Sequence, residues 1–150
     1  MSSEANPLPA LPTDKELVLR VVPMPANANA NGDIFGGWVM AQIDIGGAVL
    51  PHRLARGRTV TVAVKQLVFE QPVHVGDLLS VYADVTRVGN TSITVAVEVY
   101  AQRLQDSEKF IKVTEAELTY VAIDAHGHPR RVRREPSGQE VIKGMHTEPG

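Results

Sequence analysis

One carboxylate stands apart among the side chains that could carry out chemistry. Asp44 is the only charged residue between Trp38 and Leu50, in a stretch of apolar and small residues. On a helix, the residues three and four positions away could not form a salt bridge with it. These neighbours are Met40, Ala41, Gly47 and Ala48. A charge on an apolar helix is costly unless a group outside the helix satisfies it. Asp44 is therefore either a candidate active-site residue or a solvated or structural aspartate.

The loop before Asp44 is rich in asparagine and glycine. The residues that give it this character are Asn29, Asn31, Gly32, Asp33, Gly36 and Gly37. If a helix begins near Gly37, the free N–H groups of its first turn and its dipole favour an anion or a polarised carbonyl at that place. An acyl-transfer enzyme needs such a place for a developing oxyanion. The same loop could instead cap the helix through an Asn or Asp side chain.

Hydrophobic periodicity predicts one helix and five strands around these residues. The helix is expected over residues 37–54, where Val39, Ile43 and Leu50 recur at helical spacing. Pro51 interrupts the pattern, so the helix should bend there or have a distorted last turn. The strands are expected over residues 16–22, 59–70, 78–88, 91–102 and 111–124.

These elements indicate an α+β fold in which an antiparallel sheet curls around one helix, the hotdog arrangement. A single sheet must cover its apolar face, and only one helix is predicted to do so. That helix is apolar around most of its circumference, as a buried helix is. Gly89 and Asn90 indicate a two-residue hairpin between two of the strands. Self-pairing of one edge into a continuous dimeric sheet would protect that edge.

We expect one domain over residues 14–135, between a flexible N-terminal segment (residues 1–13) and a flexible C-terminal tail (residues 136–150). A chain of 150 residues with 43% hydrophobic content suits a single core. The first residues lack the basic start and apolar run of a signal peptide, and no stretch is long and apolar enough for a membrane span. The expected location is the cytoplasm.

Composition argues against several classes of function. There are no cysteines, which excludes disulfides, thiolate metal sites and a cysteine nucleophile. The net charge of -2, with acids and bases mixed, gives no field for nucleic acid or a membrane surface. His126 and His128 form too weak a pattern to predict a metal. A basic cluster comprises Arg130, Arg131, Arg133 and Arg134. It is interpreted first as a solvated segment and second as help in binding phosphate; nucleic-acid binding comes third.

Four ordered segments make the chain resemble a known family. They are NANGDIFGGWVMAQIDIGGAV (residues 29–49), TVTVAV (59–64), FEQPVHVGD (69–77) and RVGNTS (87–92). In order and spacing they resemble the acyl-CoA thioesterases of the YciA type. The resemblance implies a hotdog fold, dimers that share a continuous sheet, and hexamers built as trimers of dimers. It also implies hydrolysis of acyl-CoA to a free acid and CoA, in lipid metabolism, without a metal or organic cofactor.

The resemblance also assigns the catalytic residues. The family's catalytic aspartate falls on Asp44 and its loop asparagine on Asn29, and in the dimer these two would come from different subunits. The thioester carbonyl would lie against the N–H groups of Gly36 and Gly37. Asp44 would act as a general base on water, or attack the carbonyl directly to give an anhydride. Asn29 would orient the water or the carbonyl.

Two segments are implied to bind the CoA part of the substrate. Thr61, Val62 and Ala63 belong to the strand that would run beside pantetheine and pair with its amides. The turn that would meet the nucleotide comprises Arg87, Gly89, Asn90, Thr91 and Ser92. The family often has a basic residue where this chain has Asn90, which leaves Arg87 as the nearby cation.

Two other functions compete with thioester hydrolysis. A hotdog dehydratase needs a histidine opposite its carboxylate, but the loop over residues 26–37 has none, and His52 and His74 are poorly placed. A non-catalytic acyl-CoA-binding or regulatory hotdog module would not need Asp44 and Asn29, so their presence argues against it.

Overall fold

The strands form one sheet in an order that differs from their order in the chain. The computed structural model describes residues 10–132 and 146–147. Its strands are β1 (Glu16–Val21), β2 (Thr59–Phe69), β3 (Leu78–Val88), β4 (Ser92–Arg103) and β5 (Asp106–Ala122), with a short β6 (His146–Thr147). The first five are antiparallel in the order β1-β3-β4-β5-β2, and β6 pairs in parallel with β3. Strand β2 therefore lies at the far edge, beside β5 and not beside β3.

The helix lies across this sheet in two segments. They are α1 (Gly36–Gly47) and α2 (Val49–Ala55), separated at Ala48. Pro51 is the third residue of α2, and its missing N–H leaves the carbonyl of Gly47 without the usual helical partner. An irregularity is present as predicted, but it lies at Ala48, three residues before Pro51. The predicted α+β hotdog arrangement, an antiparallel sheet around a central helix, is confirmed as well.

One face of α1 is buried and the other is open in the single chain. Val39 and Ile43 are 1% exposed and face the sheet, where α1 contacts β1, β3 and β4. Gly46 allows a close approach, because a Cβ there would lie 3.1 Å from Cγ1 of Val81. On the opposite face Ile45 is 56% exposed. The expectation of a buried helix therefore holds for only one face of α1 in the single chain.

The core fills the space between the helix and the concave face of the sheet. It consists mainly of β-branched and small side chains, because alternate residues of each strand point to the same face. In β4 these are Ile93, Val95, Val97 and Val99, each at most 1% exposed.

The turn between β3 and β4 differs from the predicted one. Val88 pairs with Ile93, so four residues connect the paired positions, and Gly89 N–H donates to the Ser92 carbonyl at 2.7 Å. Neither Gly89 nor Asn90 has a positive φ, which a type I′ hairpin would require. The predicted hairpin between these strands is present, but its two central residues are Asn90 and Thr91, one position later than predicted. Thr91, expected in the fourth strand, lies in the turn.

The predicted terminal segments fall largely outside the described residues. This applies to residues 1–9 of the N-terminal segment and to residues 136–145 and 148–150 of the tail. No helix in the part of the chain that the structure describes is long and apolar enough to cross a membrane.

Candidate active site

The carboxylate of Asp44 is held by two hydroxyl groups from the sheet. Thr61 Oγ1 donates a hydrogen bond of 2.6 Å to Asp44 Oδ1. The hydroxyl of Tyr120 lies 3.2 Å from the same Oδ1 and 2.9 Å from the backbone carbonyl of Asp44. The helix gives Asp44 no partner, as expected, but the sheet does. The strong interaction of hydroxyl donors with a carboxylate explains how this charge is tolerated on an apolar helix.

Sheet register brings these two donors together. Thr61 on β2 pairs directly with Tyr120 on β5, and directly paired residues of antiparallel strands present their side chains on the same face. A register irregularity follows at once, because Ala63 pairs with Thr119 and Val62 is left over. The family resemblance implies only backbone groups of β2 at Thr61. The structure adds a side-chain contact to Asp44 that the sequence did not predict.

The two oxygens of Asp44 differ in their environment. Both hydroxyl donors reach Oδ1, whereas Oδ2 accepts no hydrogen bond from the described residues. A carboxylate oxygen has lone pairs that can accept a proton or attack an electrophile. The arrangement therefore fixes the side chain through one oxygen and leaves the other available for chemistry.

The start of α1 has free N–H groups. Its N-cap residue, Phe35, makes no side-chain capping bond, and its carbonyl accepts from Trp38 N at 3.0 Å and Val39 N at 3.3 Å. Gly36 and Gly37, which precede these, are both exposed. The alternative in which an Asn or Asp side chain caps the helix is therefore wrong. The N–H groups can instead face a ligand.

Asn29 is built into a tight loop through its carbonyl oxygen. Asn29 Oδ1 accepts from Asn31 N at 2.8 Å and from Asp33 N at 3.1 Å. Gly32 supports the turn with a φ of +88°. The side-chain nitrogen of Asn29 has no partner among the described residues. What Asn29 can offer a substrate is consequently its N–H donors.

Helix geometry separates two of the predicted catalytic groups. Gly36 and Asp44 lie eight positions apart on α1, which corresponds to about 12 Å along the helix axis. Groups that act on one carbonyl must each come within about 3 Å of the reacting atoms. The N–H groups of Gly36 and Gly37 and the carboxylate of Asp44 from one chain cannot therefore serve the same thioester.

The segments predicted to bind CoA lie at one end of the sheet. Val62 is 54% exposed on the edge strand, and Ala63 is partly buried. Ser92, at the predicted nucleotide turn, pairs with Val121, whose other neighbour is Val60 on β2. The turn at Gly89, Asn90 and Thr91 is thus two strands from β2, or about 10 Å across the sheet, and Arg87 precedes it within β3.

Two grooves flank the candidate site. The larger, about 750 Å3, lies between the helix and the start of β2 and includes Ile45, Arg58 and Val60. The smaller, about 320 Å3, lies between the start of α1 and the end of β2 and includes Gly36 and Phe69. Residues of β2 line part of both grooves: Thr59 and Val60 in the larger, and Phe69 in the smaller.

The basic cluster does not behave as a unit. Arg130 is partly buried and structural: its Nη2 donates to the carbonyl of Ala55 at 2.8 Å, at the end of α2, and its Nε donates to Ile123 O at 3.2 Å. The interpretation of Arg130 as a solvated residue is wrong. Arg131 is exposed, and Arg133 and Arg134 lie outside the described residues.

The histidines have local roles. The backbone N–H groups of His128 and His126 each donate to Asp124 Oδ1 at 2.9 Å, and these bonds lower the pKa of Asp124. Within residues 10–132 there is no group of three or more His, Asp or Glu side chains that could hold a metal. His74 Nε2 lies 3.6 Å from Asp33, and His52 is on α2. Neither forms a hydrogen bond to Asp44.

Tyr120 is the site residue that the sequence did not indicate. It lies in a strand that alternates clearly, and alternation places it on the same face as Leu118 and Ala122, with core residues. Its contact with Asp44 depends on β5 lying beside β2, which no local pattern specifies.

Comparison with known proteins agrees with this architecture. Residues 31–107 match the thioesterase superfamily. The acyl-CoA thioester hydrolase YciA of Salmonella typhimurium is 50% identical over 117 residues, covering 77% of this chain and 88% of that protein. YciA of Escherichia coli is 48% identical over the same length, covering 77% and 89%.

Solved structures give the same result. The hexameric thioesterase y2039 from Yersinia pestis superimposes with a TM-score of 0.77 at 47% identity, covering 83% of this chain and 100% of that one. HI0827, a hexameric broad specificity acyl-coenzyme A thioesterase, gives 0.78 at 42%, covering 85% and 88%. The fold and site define a hotdog thioesterase. The chain belongs to the thioesterase superfamily, among the acyl-CoA thioesterases of the YciA type, and the family predicted from the sequence is confirmed.

Proposed function

We propose that this chain hydrolyses acyl-CoA thioesters to a free acid and CoA, with Asp44 as the group that attacks or activates water. The observation that carries the proposal is the state of the Asp44 carboxylate, anchored through Oδ1 by Thr61 and Tyr120 with Oδ2 left available. Its relatives are named acyl-CoA thioester hydrolases. HI0827 has also been solved as its Asp44Ala mutant enzyme, which supports the choice of residue.

The active site is completed by a second copy of the chain. Because Asp44 and the start of α1 are about 12 Å apart on one helix, the oxyanion donors at Gly36 and Gly37 must meet the Asp44 of another subunit. Asn29 would arrive with these glycines, since it lies in the loop that leads into the same helix. Its free side-chain nitrogen would donate to the carbonyl oxygen of the thioester.

The surface next to Asp44 supports such an assembly. Strand β2 is an edge strand with exposed apolar side chains, including Val64 at 48% and Val68 at 63%. An open apolar edge favours pairing with another chain. The adjacent face of α1 also exposes Ile45. The chain is a homo-oligomer, and we propose dimers that join at β2 and assemble into hexamers, as its hexameric relatives do.

In this proposal CoA lies along the segments indicated by the sequence. Pantetheine would follow β2 at Thr61, Val62 and Ala63, and the nucleotide would lie toward the β3–β4 turn with Arg87. Arg58 lines the larger groove at the start of β2 and adds a cation at that end. Guanidinium groups suit phosphate geometry.

Every catalytic role in the proposal belongs to a side chain or backbone group of this chain, so no metal or organic cofactor is invoked. The proposed location is the cytoplasm. A CoA thioester carries phosphate charges that do not cross a hydrocarbon layer unaided. Its hydrolase would act in the compartment that holds the CoA pool.

A thiol-release assay across acyl-CoAs from acetyl to palmitoyl tests the activity. Asp44→Asn should lower kcat by about 10²–10⁴-fold, because it removes the base or nucleophile while keeping the shape. Asp84→Asn, on β3 and away from the site, is the matched control and should keep the wild-type rate. Binding of acyl-CoA by the wild type without thiol release would instead favour the non-catalytic module.

Mixing subunits tests whether the site is shared. Asp44→Asn and Asn29→Ala chains should each be impaired alone. Refolded together, they should recover roughly a quarter of the wild-type sites, because half of the dimers are mixed and each mixed dimer has one intact site. No recovery in mixed oligomers of normal size would contradict the shared site.

A further inference from the structure

Tyr120 reaches Asp44 from beneath the helix. It is 1% exposed, and its hydroxyl lies within hydrogen-bonding distance of both the carbonyl and Oδ1 of Asp44. One hydroxyl therefore contacts the backbone and the side chain of the same residue. The Tyr120 hydroxyl therefore restrains both the backbone of Asp44 and the position of its Oδ1.

The helix has an opening for this hydroxyl at Gly47. A Cβ at position 47 would lie 2.7 Å from the Tyr120 oxygen, which is too close for any side chain. The same position is the last residue of α1, just before the interruption at Ala48. The absence of a side chain at Gly47 therefore leaves the space that the Tyr120 hydroxyl occupies next to Asp44.

The hydroxyl acts as a fixed donor. Burial and the neighbouring Asp44 carboxylate raise the pKa of Tyr120 well above its ordinary value. Tyr120 therefore keeps its proton at any pH at which the enzyme would work. It does not exchange protons with the substrate, and its side-chain contact with Asp44 is to Oδ1.

We propose that Tyr120 is a positioning residue for thioester hydrolysis, holding Asp44 Oδ1 so that Oδ2 faces the water or the thioester. The inference rests on the proposed function. Thr61 holds the same oxygen from the edge strand, and Tyr120 holds it from the core. Rotation of the carboxylate would break the hydrogen bond from Thr61 and the longer branch of the hydrogen bond that Tyr120 shares between Oδ1 and the backbone carbonyl of Asp44.

Tyr120→Phe tests this role in the full oligomeric enzyme. Loss of a donor to a charged group should lower kcat about tenfold, with KM changed less than about twofold because no substrate contact is lost. The acidic limb of the pH–rate profile should move to higher pH, since the donor stabilises the charged carboxylate. Oligomer size should not change.

Tyr100→Phe is the matched control. Tyr100 lies on the neighbouring strand β4, is 7% exposed and also donates to a carboxylate, Glu98 Oε1, at 2.7 Å. Its replacement removes the same kind of hydrogen bond far from Asp44, so stability should fall while kcat and the pH profile stay at wild-type values. If Tyr120→Phe behaves like this control, the role of Tyr120 is only structural and the inference is overturned.

A second variant keeps the test decisive if Tyr120→Phe folds poorly. Site-specific replacement of Tyr120 by 3-fluorotyrosine preserves the shape and makes the hydroxyl a stronger donor. The acidic limb should then move to lower pH; an unchanged profile contradicts the inference. If Asp44→Asn loses activity but both Tyr120 variants have normal activity, the positioning role of Tyr120 is refuted and the proposed function still stands. A wild type without thiol release would refute the proposed function.

Discussion

Gly47→Ala should lower the free energy of unfolding because its methyl group would clash with one atom, the hydroxyl oxygen of Tyr120. The new methyl group would lie 2.7 Å from the hydroxyl oxygen of Tyr120, whereas its next contact, Val97 Cγ2 at 3.4 Å, is ordinary. Overpacking of this kind costs about 1–3 kcal/mol. Alanine recovers up to about 1 kcal/mol through its higher helix propensity. The net loss of unfolding free energy should be about 1–2 kcal/mol.

The sign should reverse when the hydroxyl is absent. In a Tyr120→Phe background the nearest remaining atom of residue 120 is the ring carbon Cζ, at 3.7 Å from the position of the new methyl group. Gly47→Ala should then stabilise the protein by up to about 1 kcal/mol. The coupling between the two positions would be about 2 kcal/mol or more, within the range for residues in contact.

Urea unfolding of the four proteins at one protomer concentration measures this coupling. The concentration must be the same because association contributes to the apparent stability. In the wild-type background kcat should also fall, since the methyl group displaces the hydroxyl from Asp44. Gly47→Ala should cause no further fall in kcat when Tyr120 is already Phe. Equal destabilisation in both backgrounds would refute the assignment of the clash to the hydroxyl.

Two further predictions concern stability away from the site. Asp77→Ala should lower the free energy of unfolding by about 3 kcal/mol, because Asp77 is 1% exposed and its removal leaves Arg103 without its ion-pair partner. Glu16→Gln, which breaks an exposed ion pair with Arg53, is the control and should change the unfolding free energy little in the same denaturation series. Arg130→Met should cost about 1–2 kcal/mol by removing the hydrogen bond to the Ala55 carbonyl. Amide hydrogen exchange should increase at the end of α2, and unchanged exchange would exclude Arg130 as the group that caps it.

Local patterns predicted the elements better than their ends. The third strand was predicted over its full observed range, Leu78–Val88. The fifth begins at Asp106, five residues before the predicted start, because pairing of Arg103 with Asp106 draws a polar segment into the sheet. Such a segment has no apolar alternation of its own. The helix was found as one pattern, since periodicity continues through Pro51 although the backbone hydrogen bonds do not.

The candidate site was predictable only where it is local. Asp44 could be singled out because its helical neighbours all lie within four positions in the sequence. Its real partners are 17 and 76 residues away. Thr61 and Tyr120 meet beneath it only because β2 crosses to the edge beside β5.

An unpaired charge in a sequence is therefore ambiguous until the sheet order is known. One carboxylate oxygen left without a partner does not by itself mark a reacting group, because the structural Asp124 also accepts both of its backbone hydrogen bonds through Oδ1. In Asp44 the fold occupies Oδ1 twice and leaves Oδ2 without a partner among the described residues. Asp44 differs from Asp124 in its place, because it lies on an apolar helix beside the edge strand β2. The edge strand that supplies Thr61 is also the strand open to a second subunit. The sheet order that orients Asp44 therefore also places it at the surface where Asn29, Gly36 and Gly37 of another subunit would bind.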